Sequence, residues 1–137
     1  MIVSLAMNLP RVSLLHATFR SQGISKAVRD EWLKLASQPL LVEHCIAFQD
    51  DDYEVRQEYE IGKSNAGITL DSKTKFIATT TQISPSAVRN WNAAASISSG
   101  HILLGIADDL IPTHGWDDQL WKMVQSERNG LCFWKLK

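Results

Sequence analysis

Short apolar runs alternate along this chain with segments whose apolar residues recur every three to four positions, and that alternation constrains the fold more than any other feature. Val12-Ser13-Leu14-Leu15-His16-Ala17 is nearly continuous in apolar character, the pattern of a strand covered on both faces. From Gly23 the period changes. Ile24, Val28, Trp32 and Leu35 or Ala36 fall on one helical face and Arg29, Asp30 and Lys34 on the other, with Pro39 ending the helix. Residues 40–48 read as a second strand, stopped by Gln49-Asp50-Asp51-Asp52; residues 54–59 read as a short helix and 62–67 as a loop. The β-branched stretch 75–81 is a third strand. Ser84 as cap and Pro85 at the first helical position open a helix to about Ser98, with Val88, Trp91, Ala95 and Ser98 inward and Gly100 closing it. Residues 101–107 form a fourth strand that runs into Asp108-Asp109. A last helix starts near Gly115, with Asp117 and Asp118 in its first turn and Trp116, Leu120 and Val124 as its apolar face. Asn129-Gly130 reads as a turn and 131–136 as a final strand. Strands alternating with amphipathic helices imply right-handed crossovers, hence an α/β fold with a mainly parallel sheet flanked by helices.

Composition narrows the function classes. A chain of 137 residues is one domain on length alone, and a net charge of −1 supplies no basic field for a phosphate backbone, so nucleic acid is not an expected partner. Cys45 and Cys132 lie in apolar runs without metal or disulfide spacing, as buried thiols of a reducing compartment do. No apolar run approaches the roughly 20 residues that span a bilayer. The apolar stretch 2–9 lacks a basic leader and a cleavage pattern, so no signal peptide is read there. The expected protein is soluble and cytoplasmic, with no transmembrane segment.

In open α/β sheets ligands bind beyond the carboxyl ends of the strands. Three such ends carry polar residues here: Thr18-Phe19-Arg20, Asp50-Asp51-Asp52 and Asp108-Asp109. Paired carboxylates repel a diphosphate unless a divalent cation sits between them, and Mg²⁺ is commonly held by one or two carboxylates plus substrate phosphates. Neighbouring strand residues point to opposite faces, so Asp108 and Asp109 can share an ion only if the strand has already ended. The expectation is therefore one ligand with the other behind it; on its own the pair is also what a solvated loop carries. Gly62-Lys63-Ser64 resembles the tail of a phosphate-binding loop, but Gln57 stands where that motif needs glycine. His16 and His44 read as satisfied core histidines and the tryptophans as core, with Trp91 the one to inspect for ligand stacking.

The stretch from Ser86 through Asn90-Trp91-Asn92-Ala93-Ala94-Ala95-Ser96-Ile97-Ser98-Ser99-Gly100 to His101-Ile102-Leu103-Leu104 resembles the inverting, family-two-like glycosyltransferases of the GT-A fold. There an asparagine-bearing helix ends in Ala-x-Gly and leads to a strand carrying an Asp-x-Asp signature. Asp108-Asp109-Leu110-Ile111-Pro112 and Trp116 resemble the continuation. Val12 to Leu15 with Thr18-Phe19-Arg20 resembles the first strand and its nucleotide-contacting loop. Val42-Glu43-His44-Cys45-Ile46 and the following aspartates resemble the second strand and its base-binding acid. The resemblance covers nearly the whole chain in order, with its specific part between Asn92 and Pro112.

It implies that Thr18 and Arg20 contact the nucleotide, that one of Asp50, Asp51 and Asp52 holds the base, and that Asn92 supports the nucleotide or the neighbouring loop. Asp108 and Asp109 would hold Mg²⁺ or Mn²⁺, and the donor would be a uridine diphosphate (UDP)-linked sugar. The pattern departs from the family at Ile106, where the first acid of Asp-x-Asp belongs, and at Phe48 and Gln49, where paired acids normally sit. Members of the family continue into an acceptor-binding region with the catalytic base, so the chain is expected to be the nucleotide-sugar-binding half, an incomplete GT-A domain with little transfer activity by itself. Phe133, Trp134 and Leu136 would then be apolar surface covered in a homo-oligomer. The competing reading is a non-catalytic nucleotide-binding or interaction domain that kept the GT-A-like fold.

Overall fold

A computed structural model describes residues 9–126. Five strands, β1 (Val12–Ala17), β2 (Val42–Gln49), β3 (Ala66–Ile68), β4 (Thr74–Thr79) and β5 (Ile102–Ile106), form one sheet in the order β3-β4-β2-β1-β5. Every pairing is parallel except that of β3 with β4, so the sheet is mainly parallel with one antiparallel edge. Four helices accompany it: α1 (Ile24–Leu35), α2 (Tyr53–Glu58), α3 (Ala87–Ser96) and α4 (Trp116–Ser126). None of them is long and apolar enough to cross a membrane.

Strand alternation sorts the core onto two faces. One face carries Val12, Leu14 and Ile106 against Val28 and Trp32 of α1 and Trp116 and Leu120 of α4. It continues through Ile46, Phe48 and Phe76 to Val55 of α2 and Tyr59. The opposite face, Leu15, Cys45 and Ala47, packs on Ala94 of α3. Each large apolar side chain so buried contributes about 1.5–3 kcal/mol. Trp32 and Trp116 meet edge to face, 5.0 Å between centroids, and both indole N–H groups donate to carbonyls, of Leu110 and Trp32 respectively.

Several expectations from the linear pattern are corrected. The stretch 62–67 read as a loop runs into β3, a three-residue edge strand too short for a period-two signal. The cap of α3 is Ser86, whose Oγ accepts the Arg89 N–H at 3.3 Å, rather than Ser84. Val88 of that helix is exposed, and the inward positions are Asn90 and Ala94. On α1, Ile24 is half exposed while Arg29, assigned to the solvent face, is only 1% exposed. The reason is that Arg29 has partners across the fold: Nη1 donates to Thr74 Oγ1 at 3.0 Å, and Nη2 pairs with Asp71 at 2.9 Å and Asp30 at 3.0 Å. A charged side chain is buried only when so paired. The turn at Asn129-Gly130, the strand 131–136, Cys132 and the apolar patch of Phe133, Trp134 and Leu136 lie outside the described residues.

Candidate functional site

Strand order sets the carboxyl edge. β1 lies between β2 and β5, and the loops leaving β1 and β5 run side by side there, both leading to helices, α1 and α4, on one face of the sheet. Thr18 follows β1 and Asp108 follows β5, 90 residues apart in sequence, and they meet there. Asp108 Oδ2 accepts the Thr18 hydroxyl at 2.7 Å and Oδ1 lies 2.7 Å from His16 Nε2. His16 and Thr18 are two positions apart and so point to one face. Asp108 remains 26% exposed and Asp109 is exposed. The strand ends at Ile106, and the Leu110 N–H donates to Ala107 O at 3.1 Å, so both aspartates sit in a turn and the strand rule no longer separates them.

Along the same edge, the three aspartates after β2 separate by environment. Asp50 accepts from the backbone N–H of Thr81 at 3.1 Å and from the Thr81 hydroxyl. Asp52 is buried: Oδ1 caps α2 at Val55 N (3.2 Å) and Oδ2 accepts the Arg20 N–H at 2.8 Å, tying the loop after β1 to the start of α2. Asp51 alone is exposed with a carboxylate that accepts no hydrogen bond. It lines a cleft of about 290 Å³ with Phe19, Arg20, Asp52, Tyr53 and Glu54. Phe19 is 46% and Tyr53 75% exposed, so both rings are accessible at this cleft, with the Arg20 guanidinium over the Phe19 ring. Beyond Tyr53 a broader groove of about 900 Å³ runs past Asp50, Arg56, Gln57 and Lys63.

Of the residues named from sequence, Thr18, Arg20, Asp50, Asp51, Asp108 and Asp109 are therefore all at the carboxyl edge. Thr18 is buried and its hydroxyl is engaged by Asp108, while Arg20 is exposed, at φ 48°, with its guanidinium over the Phe19 ring. Asn92 is exposed on α3 and bonds to none of them; the buried asparagine of that helix is Asn90, which accepts from Thr79 Oγ1 at 3.0 Å. Trp91 lies over Gly105 and donates to Ile106 O at 2.9 Å, so it braces β5. Gly62-Lys63-Ser64 offers carbonyls to Arg56, not N–H groups to a phosphate.

Behind Asp108 runs a feature the linear reading did not assemble. His16 Nδ1 lies 2.9 Å from His44 Nε2, His44 Nδ1 lies 2.8 Å from Thr74 Oγ1, and Thr74 accepts from Arg29. These four side chains are at most 2% exposed. Tyr59 stacks on His44 and bonds Ser25 at 2.7 Å. Burial first, with the adjoining His16 ring and the Arg29 guanidinium also disfavouring a positive charge there, holds the His44 pKa well below the ordinary range, so that ring is neutral. The signal available in sequence was parity: His16 and His44 occupy inward positions of adjacent strands, on the face that also carries Thr18.

A divalent cation fits the donor set in a limited way. Among the described residues no group of three or more His, Cys, Asp or Glu side chains is placed to hold a metal ion. Asp108 uses one acceptor direction on each oxygen and keeps the others, and Asp109 is unengaged. Two carboxylates completed by phosphate oxygens and water are an ordinary Mg²⁺ environment. Comparison with protein-family models, curated proteins and solved structures finds no match for this chain.

Proposed function

We propose that the carboxyl edge of the sheet at β1 and β5, with the adjoining cleft at Asp51, binds a nucleoside diphosphate sugar with a divalent cation, as the donor-binding part of a glycosyltransferase of GT-A type. The observation that carries this reading is the meeting of Asp108 with Thr18 at the carboxyl edge, with the unengaged Asp51 and the exposed rings of Phe19 and Tyr53 along the same edge. A planar base would lie against these rings, and the Asp51 carboxylate, an acceptor only, suits the N3–H donor of uracil. The diphosphate would lie toward Asp108 and Asp109, which would hold Mg²⁺ or Mn²⁺. When bound, the cation would neutralise charge developing on the departing diphosphate.

One observation favours the narrower alternative of nucleotide binding without transfer. Ile106, where the resembled signature has its first acid, is fully buried in the core and offers no group to a ligand at the carboxyl edge.

Calorimetry of UDP with the full chain, with and without Mn²⁺, tests the reading. Binding should be weak in chelator and tighter with Mn²⁺, and Asp108→Asn should remove most of that metal dependence. Asparagine keeps the shape and one oxygen but loses the charge that turns repulsion from the diphosphate into attraction. Wild-type binding that is absent, or equal in chelator, sinks the metal assignment. Metal-dependent binding without hydrolysis or transfer from a UDP-sugar selects the non-catalytic alternative.

A further inference from the structure

We propose that His16 and His44 are positioning residues for Asp108, the last two links of a one-way hydrogen-bond chain, Arg29 to Thr74 to His44 to His16 to Asp108, that fixes the carboxylate at the carboxyl edge of the sheet. The direction follows from the two ends. A guanidinium only donates, so Thr74 Oγ1 accepts from Arg29 at 3.0 Å and has its own hydrogen free for His44 Nδ1 at 2.8 Å. His44 then carries its hydrogen on Nε2 and donates to His16 Nδ1 at 2.9 Å. His16 in turn donates from Nε2 to Asp108 Oδ1 at 2.7 Å. The opposite order would set two donors on Thr74, take away the acceptor of its hydroxyl, and aim the His16 lone pair at a carboxylate. Both rings are therefore Nε2–H tautomers.

The chain does more than fill the core. All four imidazole nitrogens face side chains, and the polar row stands in register with apolar neighbours: Leu14 beside His44, and His16 beside Ile46 and Ile106. Apolar residues of similar volume at such positions commonly cost a fold nothing. What they cannot do is aim a carboxylate. Asp108 lies in a turn, and the buried rings restrict its Oδ1 while Thr18 restricts Oδ2. The tautomers are independent of the nucleotide reading; the consequence for ligand binding rests on it.

Long-range proton–nitrogen correlation spectra of the labelled full chain at neutral pH should show Nε2 protonated and Nδ1 bare in both rings. An Nδ1–H tautomer or an imidazolium in either ring overturns the chain's direction. Thr74→Val is the remote perturbation, at the amino end of β4 and so away from the carboxyl edge that carries Asp108. It should release the His44 tautomer and weaken UDP binding with Mn²⁺ about tenfold or more, the range typical for losing groups behind a metal ligand, and Thr74→Ser should restore both. If Thr74→Val does not fold, His44→Gln, which keeps an N–H at the ε position, should bind better than His44→Leu. A folded Thr74→Val or His44→Leu that binds as wild type overturns the positioning role. Should wild type bind no UDP, the nucleotide reading alone falls, and the side-chain carboxyl carbon resonance of Asp108 decides: moved by Thr74→Val and restored by Thr74→Ser if the chain positions it, unmoved if it does not.

Discussion

Glu43 ties together three segments at the amino edge of the sheet, and replacing it with glutamine is a quantitative test of that edge. Its Oε2 accepts the Ser13 hydroxyl of β1 at 2.5 Å and the Ser99 N–H at 2.8 Å; Oε1 accepts the Ser99 hydroxyl at 2.9 Å and pairs with Lys75 of β4. Partial burial by itself would raise the carboxyl pKa. Lys75, then Ser13 and Ser99, more than reverse this and lower it from 4.5 to about 2. That difference corresponds to roughly 3 kcal/mol, which partial exposure of the Lys75 ammonium reduces to about 2 kcal/mol. The folded value lies below the unfolded one, so the stabilisation is complete above pH 4.5 and drains away as pH falls toward 2. Glu43→Gln turns one oxygen into an N–H₂ facing donors and leaves Lys75 without its anion. Urea unfolding of both proteins should give a gap of about 2 kcal/mol at neutral pH, shrinking by more than half near pH 3. A gap below about 0.5 kcal/mol, or one that does not change with pH, refutes the assignment of Glu43 as an ionised tie.

Other positions give sharper local outcomes. A Cβ at Gly100 would lie 2.5 Å from Ser13 Oγ, 2.8 Å from Ser13 N and 3.0 Å from Val12 C, two of them backbone of a central strand, so Gly100→Ala should cost about 1–3 kcal/mol in chemical unfolding; an unchanged midpoint contradicts the close approach. Asp117 is 2% exposed and accepts the N–H groups of Ser37 at 2.7 Å and Gln38 at 2.9 Å; Asp117→Ala orphans both and should cost about 2 kcal/mol or more, and a smaller loss by urea titration means water replaces it. Burial, aided by the Glu43 carboxylate, pushes the Cys45 thiol up to about 12, so in a Cys132→Ser background a thiol reagent should modify it only at the rate of unfolding; rapid labelling of the native chain excludes a buried thiol.

Much of this architecture was legible in the linear pattern because it depends on near neighbours. Among the described residues, periods of two and of three to four residues, with the turn signals between them, located four of the five strands and all four α-helices. Proline, glycine and aspartate marked their ends closely enough to assign Thr18, Asp50 and Asp108 to carboxyl termini of strands. The apolar faces of α4 and of β1 followed for the same reason, since Trp116, Leu120, Val12 and Leu14 are set by intervals within one element. Only the tertiary structure decided strand order, and strand order decides what touches what. With β1 between β2 and β5, Asp108 reaches Thr18 and His16, whereas no interval along the chain contains that contact. Arg29 shows the same limit from the other side: a charged residue on a helix reads as solvated until partners from β4 and the turn before it arrive to accept its hydrogen bonds. Among Asp50, Asp51 and Asp52 the sequence offers three equal carboxylates. Their difference lies in which loop N–H or hydroxyl reaches each one, and those donors come from Thr81, Val55 and Arg20, brought there by the fold, leaving Asp51 open to the cleft.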